Sequence, residues 1–353
     1  MRDTPLCRRA LRLLILLPLL LGYASTAQAQ DRDEAKYHQE DSLLKLAREQ
    51  NNRKAQLQLG IGYLTGKYDL ERKPEKALKW LRKAAEPRHE EEPSARALYY
   101  LGMCYDRPEY CRLLDHDRDP DKALAYYEQA LRLNLSDAGY RAALLARALK
   151  REAAASDYFR RTADMGHTIS QVAYARRLLT GTGVERAPRQ AIPYLEKAAR
   201  HGNADAQLLL ADCYGGKHPP IEADREKMVD YLWQAAMSRP AAMTRVGYCY
   251  EHGIGMRKSL ELAAKWYSKA AAAGDPRAMV NLGICYANGK GVDRDPARAV
   301  VWYVKATAQP DAPALAFYNL AMSHYHGKGT DQNLATAYGY LRRAAAMDYA
   351  QAQ

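Results

Sequence analysis

Along most of the chain, apolar residues recur at helical spacing, and the pattern itself repeats. Ala278, Leu282 and Cys285 fall on one helical face; after a Gly-bearing break, Ala299, Trp302-Tyr303 and Ala306 form a second. From Ala242 to Ala278, from Tyr250 to Tyr286 and from Trp266 to Trp302 is 36 residues each time. Ala206, Tyr214 and Tyr231 continue the pattern upstream, and Leu320, Ala321, His324, Gly327, Gly329 and Tyr340-Leu341 mark a later copy. Looser copies run through Leu59-Gly60, Tyr63 and Trp80; through Leu101-Gly102, Tyr105 and Tyr126-Tyr127; and through Gly181, Gly183, Tyr194 and Ala198-Ala199. With a short, degenerate unit at 138–166 the count is about eight units, preceded by an extra helix near Glu34 to Gln50. A fixed period of this length predicts a repeat architecture.

Each unit reads as two antiparallel helices. Asp275 is placed to cap a first helix and Pro276 suits its first turn; Asp295-Pro296 and Asp119-Pro120 start second helices by the same logic. Gly289 is placed to end a first helix in the left-handed conformation, and Gly202 and Gly274 to close second helices. The Gly-x-Gly stretches at Gly181, Gly253, Gly289 and Gly327 lack the Lys-Ser/Thr ending of a phosphate loop, and no strand precedes them, so they read as inter-helix turns. One helix pair cannot bury its apolar face alone, whereas stacked pairs share a continuous core. The expected fold is all-α: an α-solenoid, wound as a right-handed superhelix, of tandem antiparallel helix pairs.

These residues resemble the Sel1-like repeat family, relatives of the tetratricopeptide repeats. Ala278, Leu282, Gly283, Tyr286, Gly289, Gly291 and Val292 match the first half of that repeat; Ala263, Trp266, Tyr267, Lys269, Ala270, Ala271 and Gly274 match the second. The match covers most of residues 55–350 and is weakest at 138–168. The matching positions are packing positions and carry no activity with them. The resemblance implies a scaffold or adaptor whose concave face, lined by first helices, binds partner proteins, with envelope assembly or polysaccharide secretion as settings for exported bacterial members.

The N-terminus changes the picture. Arg2, Arg8, Arg9 and Arg12 precede a short apolar core from Leu13 to Leu21, and Ala27-Gln28-Ala29 offers small residues for cleavage before Gln30. This reads as a secretory signal peptide over 1–29, followed by a leading helix within 30–52 and the repeat array over 53–353. A periplasmic or secreted location follows as an expectation. The whole chain carries +12, and four Arg and one Asp leave with the signal, so +9 remains. Export argues against nucleic acid as partner and leaves acidic proteins, anionic glycans or lipid headgroups.

Candidate chemistry is thin. Cys104, Cys213, Cys249 and Cys285 each precede a repeat tyrosine; stacked equivalents lie about 10 Å or more apart, too far for mutual disulfides or one metal. Cys104 and Cys111 flank a short loop, where a local disulfide and two free thiols are both open readings. His116, between Asp115 and Asp117, is either a weak cation site or an exposed turn, and His324 and His326 project to different helix faces. Ser42-Leu43-Leu44-Lys45 matches Ser-x-x-Lys, but the Ser-Asp-Asn and Lys-Thr-Gly partners of penicillin-binding enzymes are missing. Glu90-Glu91-Glu92 reads as a solvated loop. No catalytic, metal or cofactor residue is assigned and no cofactor is expected. The leading function is a non-catalytic scaffold binding protein through its concave face, for which variable first-helix positions such as Arg245 and Asn281 are places to look. A cell-wall or β-lactam hydrolase and an acidic-glycan-binding protein are the alternatives. The final Tyr349-Ala350-Gln351-Ala352-Gln353 resembles the start of a further first helix, so self-association through the C-terminal end is also expected.

Overall fold

The computed structural model describes residues 39–88 and 91–347. The expected signal peptide and the residues after 347 lie outside the described residues. The chain forms two compact units, one ending at Met165 and one beginning at Gly166.

In the first unit a helix over 39–48 (α1) leads. Then α2 (Arg53–Thr65) pairs with α3 (Pro74–Ala85), α4 (Ala95–Asp106) with α6 (Pro120–Arg132), and α7 (Ser136–Ala148) with α8 (Glu152–Asp164). The long connection of the second pair contains a short helix, α5 (Pro108–Leu113), that spacing alone did not predict. In the second unit the pairs are α9 (Thr168–Thr180) with α10 (Pro188–Arg200), α11 (Ala204–Asp212) with α12 (Arg225–Ala236), and α13 (Pro240–His252) with α14 (Leu260–Ala272). The pairs α15 (Pro276–Asn288) with α16 (Pro296–Thr307) and α17 (Ala314–His326) with α18 (Leu334–Ala345) complete it. These are the eight units of the sequence pattern, and consecutive packed helix pairs of this kind define an α-solenoid.

The end signals act as read. The Asp275 carboxylate accepts from the backbone N–H groups of Arg277 and Ala278, Asp295 from Arg298, and Asp119 from Lys122. Gly289 closes α15 at φ 71°. One backbone bond sets the geometry inside most pairs: the N–H of the residue capping the second helix donates to the carbonyl of the repeat tyrosine. It is 2.9 Å from Ser259 to Tyr250, 2.8 Å from Asp295 to Tyr286 and 3.1 Å from Asp119 to Tyr105. The second glycine of each Gly-x-Gly turn sets the stacking between pairs. Gly291 has φ 70°, and a Cβ there would collide with the Leu260 carbonyl at the start of the preceding second helix.

The cores are built from alanines with almost no exposure (Ala242, Ala278, Ala299, Ala306) and the rings they leave room for. Tyr267 is 0% exposed and lies so close to Gly247 that a Cβ there would sit 2.7 Å from the ring. In α12 the register differs from the sequence reading. Leu232, not Tyr231, takes the buried position equivalent to Tyr267, and Tyr231 stacks on Tyr214 at 5.9 Å. The longer connection over 218–224 shifts α12 by one residue relative to the 36-residue period.

Candidate interaction surface

With the packing positions of each first helix buried, four positions per helix remain on its open side. In α13 they include Arg245, Tyr248 and His252; in α15, Arg277, Asn281, Ile284 and Asn288; in α17, Leu315, Asn319, Met322 and His326. Helical spacing of three and four keeps each set on one face, and steps of 36 residues from α13 to α15 and 38 from α15 to α17 carry the same set from one helix to the next. The column is chemically mixed. Tyr248 is 49% exposed, its ring 4.1 Å from that of His252. Arg245 donates to Asp212 of α11 at 2.7 Å, and Lys217 reaches the same carboxylate at 2.8 Å. Of the two sequence-nominated positions, Arg245 is thus tied across two first helices, and Asn281 is half-buried on α15. The first unit carries an aromatic counterpart: half-buried Tyr100 on α4 lies 5.6 Å from Tyr99, edge to face.

Beneath this face, tyrosines of second helices meet carboxylates of first helices. The Tyr267 hydroxyl donates to Glu251 at 2.8 Å, and Lys290 of the following turn donates to the other carboxylate oxygen at 2.9 Å. Burial pushes the Glu251 carboxyl up, but the hydrogen bonds from Lys290 and Tyr267 outweigh it and hold the group below its usual range. In the first unit Tyr127 donates to Asp106 at 3.3 Å and Arg118 at 2.7 Å.

Several cavities open on the second unit, two of them flanked by turns between paired helices. The larger, about 890 Å³, lies beside the 218–224 connection, between Arg189, Tyr214, Asp224 and Lys227; its charges are mixed, and Lys227 already pairs with Asp224 at 3.2 Å. The smaller, about 360 Å³, opens between α15 and α17 and reaches down to Tyr303.

The remaining sequence candidates find structural places. The five cysteines after Cys7 are free and buried, and Cys111 donates its S–H to the Cys104 carbonyl at 3.2 Å. Burial, with the neighbouring Cys111 second, pushes the Cys104 thiol up to about 12, and burial takes Cys213 and Cys285 to about 11. Such thiols are poor nucleophiles. His116 is half-buried just after a turn, between exposed Asp115 and Asp117: its ring stacks on Tyr105 at 4.8 Å and its Nδ1 lies 2.7 Å from the Asp117 carbonyl. His324 stacks on Tyr340 at 6.1 Å while His326 is exposed. Ser42 and Lys45 are both exposed on α1. The C-terminal segment lies outside the described residues; α18 before it exposes Leu334 and Tyr338, and Met347 just after the helix is exposed as well.

Paired helices, alanine-and-tyrosine cores and a variable first-helix face define a helical-repeat scaffold of the kind that mediates protein–protein interaction. The Sel1 repeat model matches residues 53–86, 95–135, 168–203, 240–275, 276–311 and 314–349, more than half of the chain. The chain belongs to the Sel1-repeat family, whose members are generally non-catalytic scaffolds. The model leaves α7–α8 and α11–α12 unmatched, yet both fold as pairs. Among curated proteins the chain is similar to the chitin synthase regulator SKT5 of Saccharomyces cerevisiae, 33% identical over 120 residues, which is 33% of this chain and 17% of that protein. It is also similar to the DAP3-binding cell death enhancer 1 of Rattus norvegicus, 35% identical over 85 residues, 24% of this chain and 16% of that protein. The chain thus spans less than a fifth of these relatives. Among solved structures, the protective antigen c5321 of uropathogenic Escherichia coli shares the fold, with TM-score 0.73 and 24% identity over 89% of this chain and 65% of that one. A Sel1 repeat protein of Oxalobacter formigenes aligns with TM-score 0.55 and 26% identity over 61% of this chain and 84% of that one.

Proposed function

We propose that this protein is a scaffold that holds partner proteins on its first-helix face, outside the cytoplasm, after an N-terminal signal over 1–29 is removed. One observation carries the reading: the open column of first-helix side chains, with Tyr248 and His252 exposed beside Arg245, Asn281 and Ile284, over a buried core. Tyr and Arg anchors set among apolar and amide side chains are the composition of binding hot spots. The names of similar proteins, a chitin synthase regulator, a DAP3-binding protein and a component of an ERAD-associated ubiquitin ligase, are consistent with assembly roles. Envelope assembly or polysaccharide secretion is the setting that an exported scaffold fits best. The basic stripe that an acidic glycan would need is broken by Asp205 and Asp212 on α11, so the glycan reading ranks second.

The test is site-specific photo-crosslinking in the native cell. A crosslinker at Tyr248 should capture discrete protein partners, and one at Lys265, on the exposed side of α14, should not. Equal capture at both sites, or none at Tyr248, overturns the reading. An N-terminus at Gln30 and recovery outside the cytoplasm would carry the export proposal, and an intact Met1 in the cytoplasm would sink it.

A further inference from the structure

Three helix pairs share one local design. In each, a second-helix tyrosine lies over a first-helix glycine: a Cβ on Gly102, Gly247 or Gly283 would be 2.6, 2.7 or 2.5 Å from Cε1 of Tyr127, Tyr267 or Tyr303. Four residues after the glycine, one helical turn on, stands Asp106 in the first case and Glu251 in the second, and each accepts the tyrosine hydroxyl and a basic side chain. In the third case that position is Ala287.

The donors remain where the carboxylate is missing. Tyr303 is buried and keeps the same placement over its glycine, yet its hydroxyl has no acceptor among the described residues. Lys328 sits in a Gly-Lys-Gly turn like that of Lys290, but makes no ion pair among the described residues, whereas Lys290 binds Glu251. Between them is the cavity of about 360 Å³, which Ala287, Tyr303, Lys328, Arg294, Asn319 and His326 line together. Arg294 spends Nε on the Ala287 carbonyl at 3.2 Å and makes no ion pair among the described residues. The buried Nδ2 of Asn319 has no acceptor. No acidic side chain lines the cavity. A buried donor without an acceptor, as Asn319 Nδ2 is, is costly; Tyr303 and the exposed Lys328, Arg294 and His326 edge the same volume, which one carboxylate fills one pair earlier.

We propose that this cavity receives the carboxylate of an acidic side chain from a partner protein, which completes between α15 and α17 the tyrosine–carboxylate–lysine arrangement that Glu251 completes between α13 and α15. The inference rests on the first-helix face being a protein-binding face and names one anchor on it. The cavity opens onto that face beside Ile284, Met322 and His326. Glu251 shows that the arrangement holds a carboxylate in its ionised form. A single such anchor binds weakly, at about the millimolar level, and adds to contacts along the column.

The test uses the mature chain with methyl-labelled Ile and Met, since the Ile284 and Met322 methyls report on the cavity. Three blocked-N-terminus alanine peptides serve as probes: one carrying a glutamate with an amidated end, its glutamine counterpart, and one with a free C-terminal carboxylate and no acidic side chain. The glutamate peptide should shift both methyls saturably by about 10 mM. The glutamine peptide should bind about tenfold more weakly. Ala287→Glu, which supplies the carboxylate from within, should abolish the response, and Lys328→Met should weaken it about tenfold. An equal response to glutamate and glutamine, a response to the free chain end alone, or undiminished binding in both variants would overturn the proposal. Photo-crosslinking at Tyr248 separates the two readings: partners still captured while the glutamate peptide fails to bind would remove this anchor and leave the scaffold standing.

Discussion

Replacing Glu251 by Gln tests whether the carboxylate, rather than the space it fills, ties α13, α14 and the following turn together. Glutamine keeps the volume and can still accept from Tyr267, but the ionic part of both hydrogen bonds is lost. Glu251 is 17% exposed and Lys290 43%, so half of the network is screened by water. Charge-assisted bonds contribute about 1.5–3 kcal/mol where they are well buried, and exposed pairs under about 1 kcal/mol. A loss of about 1–2 kcal/mol at neutral pH is expected, a fall of roughly 2–8 °C in melting temperature for a unit of this size. The pH dependence gives the sign. The folded-state pKa of Glu251 lies below its usual 4.5, so its contribution is complete above that value and is lost as pH falls through the folded pKa. The melting-temperature gap between wild type and Glu251→Gln should therefore be constant at neutral pH and close as the solution is acidified below 4.5. Adding Tyr267→Phe to either background completes a double-mutant cycle, and a coupling of about 1 kcal/mol is expected. Circular dichroism melts over a pH series would refute the reasoning if the gap were the same at every pH, or if Glu251→Gln matched wild type at neutral pH.

Gly283→Ala places a methyl 2.5 Å from the Tyr303 ring, and should cost about 1–3 kcal/mol by urea titration, part of it regained when Tyr303→Leu is added. In the first unit, Arg161 Nη1 lies 3.0 Å from each oxygen of Glu128; Glu128→Gln should lower stability by about 1 kcal/mol or less, and an unchanged urea midpoint would show that the clamp between α6 and α8 adds nothing. Because burial takes the Cys213 and Cys285 thiols to about 11, neither should react with a thiol-specific chromogen at pH 8 until the chain is unfolded; immediate labelling of the native protein would show that the burial is wrong. Tyr248→Ala removes an exposed ring from α13 and should leave the melting temperature unchanged while reducing crosslinked partner at neighbouring positions; a large loss of stability would place Tyr248 in the core instead.

The period was legible in the sequence because packing imposes the same demand on every pair. Ala242 and Ala278 must be small, Gly247 and Gly283 smaller still, and Tyr267 and Tyr303 must fill the space that results. The caps were legible for a similar reason, since Asp275 and Gly289 solve a local hydrogen-bonding problem that needs no distant partner. Tyr231 was misplaced because a longer connection shifts α12, and the apolar pattern tolerates Leu232 as well as it would a tyrosine. The helix α5 was hidden because six residues are too few to show a period.

The binding face resisted reading for the opposite reason: its positions are free of the packing demand, so nothing in the period selects among Arg245, Asn281 and Asn319. Yet the repeat supplies a comparison of its own. Three pairs present the same glycine and the same tyrosine, so they act as natural variants of one site within one molecule. Where Asp106 and Glu251 keep the site closed, Ala287 opens it without removing Tyr303 or Lys328. Packing over Gly283 accounts for Tyr303, but not for Lys328, Arg294 and the unpartnered Asn319 Nδ2 around the gap. Retention of the donors after loss of the acceptor is what a site for an external carboxylate requires, and it becomes visible only when each pair is laid over the next.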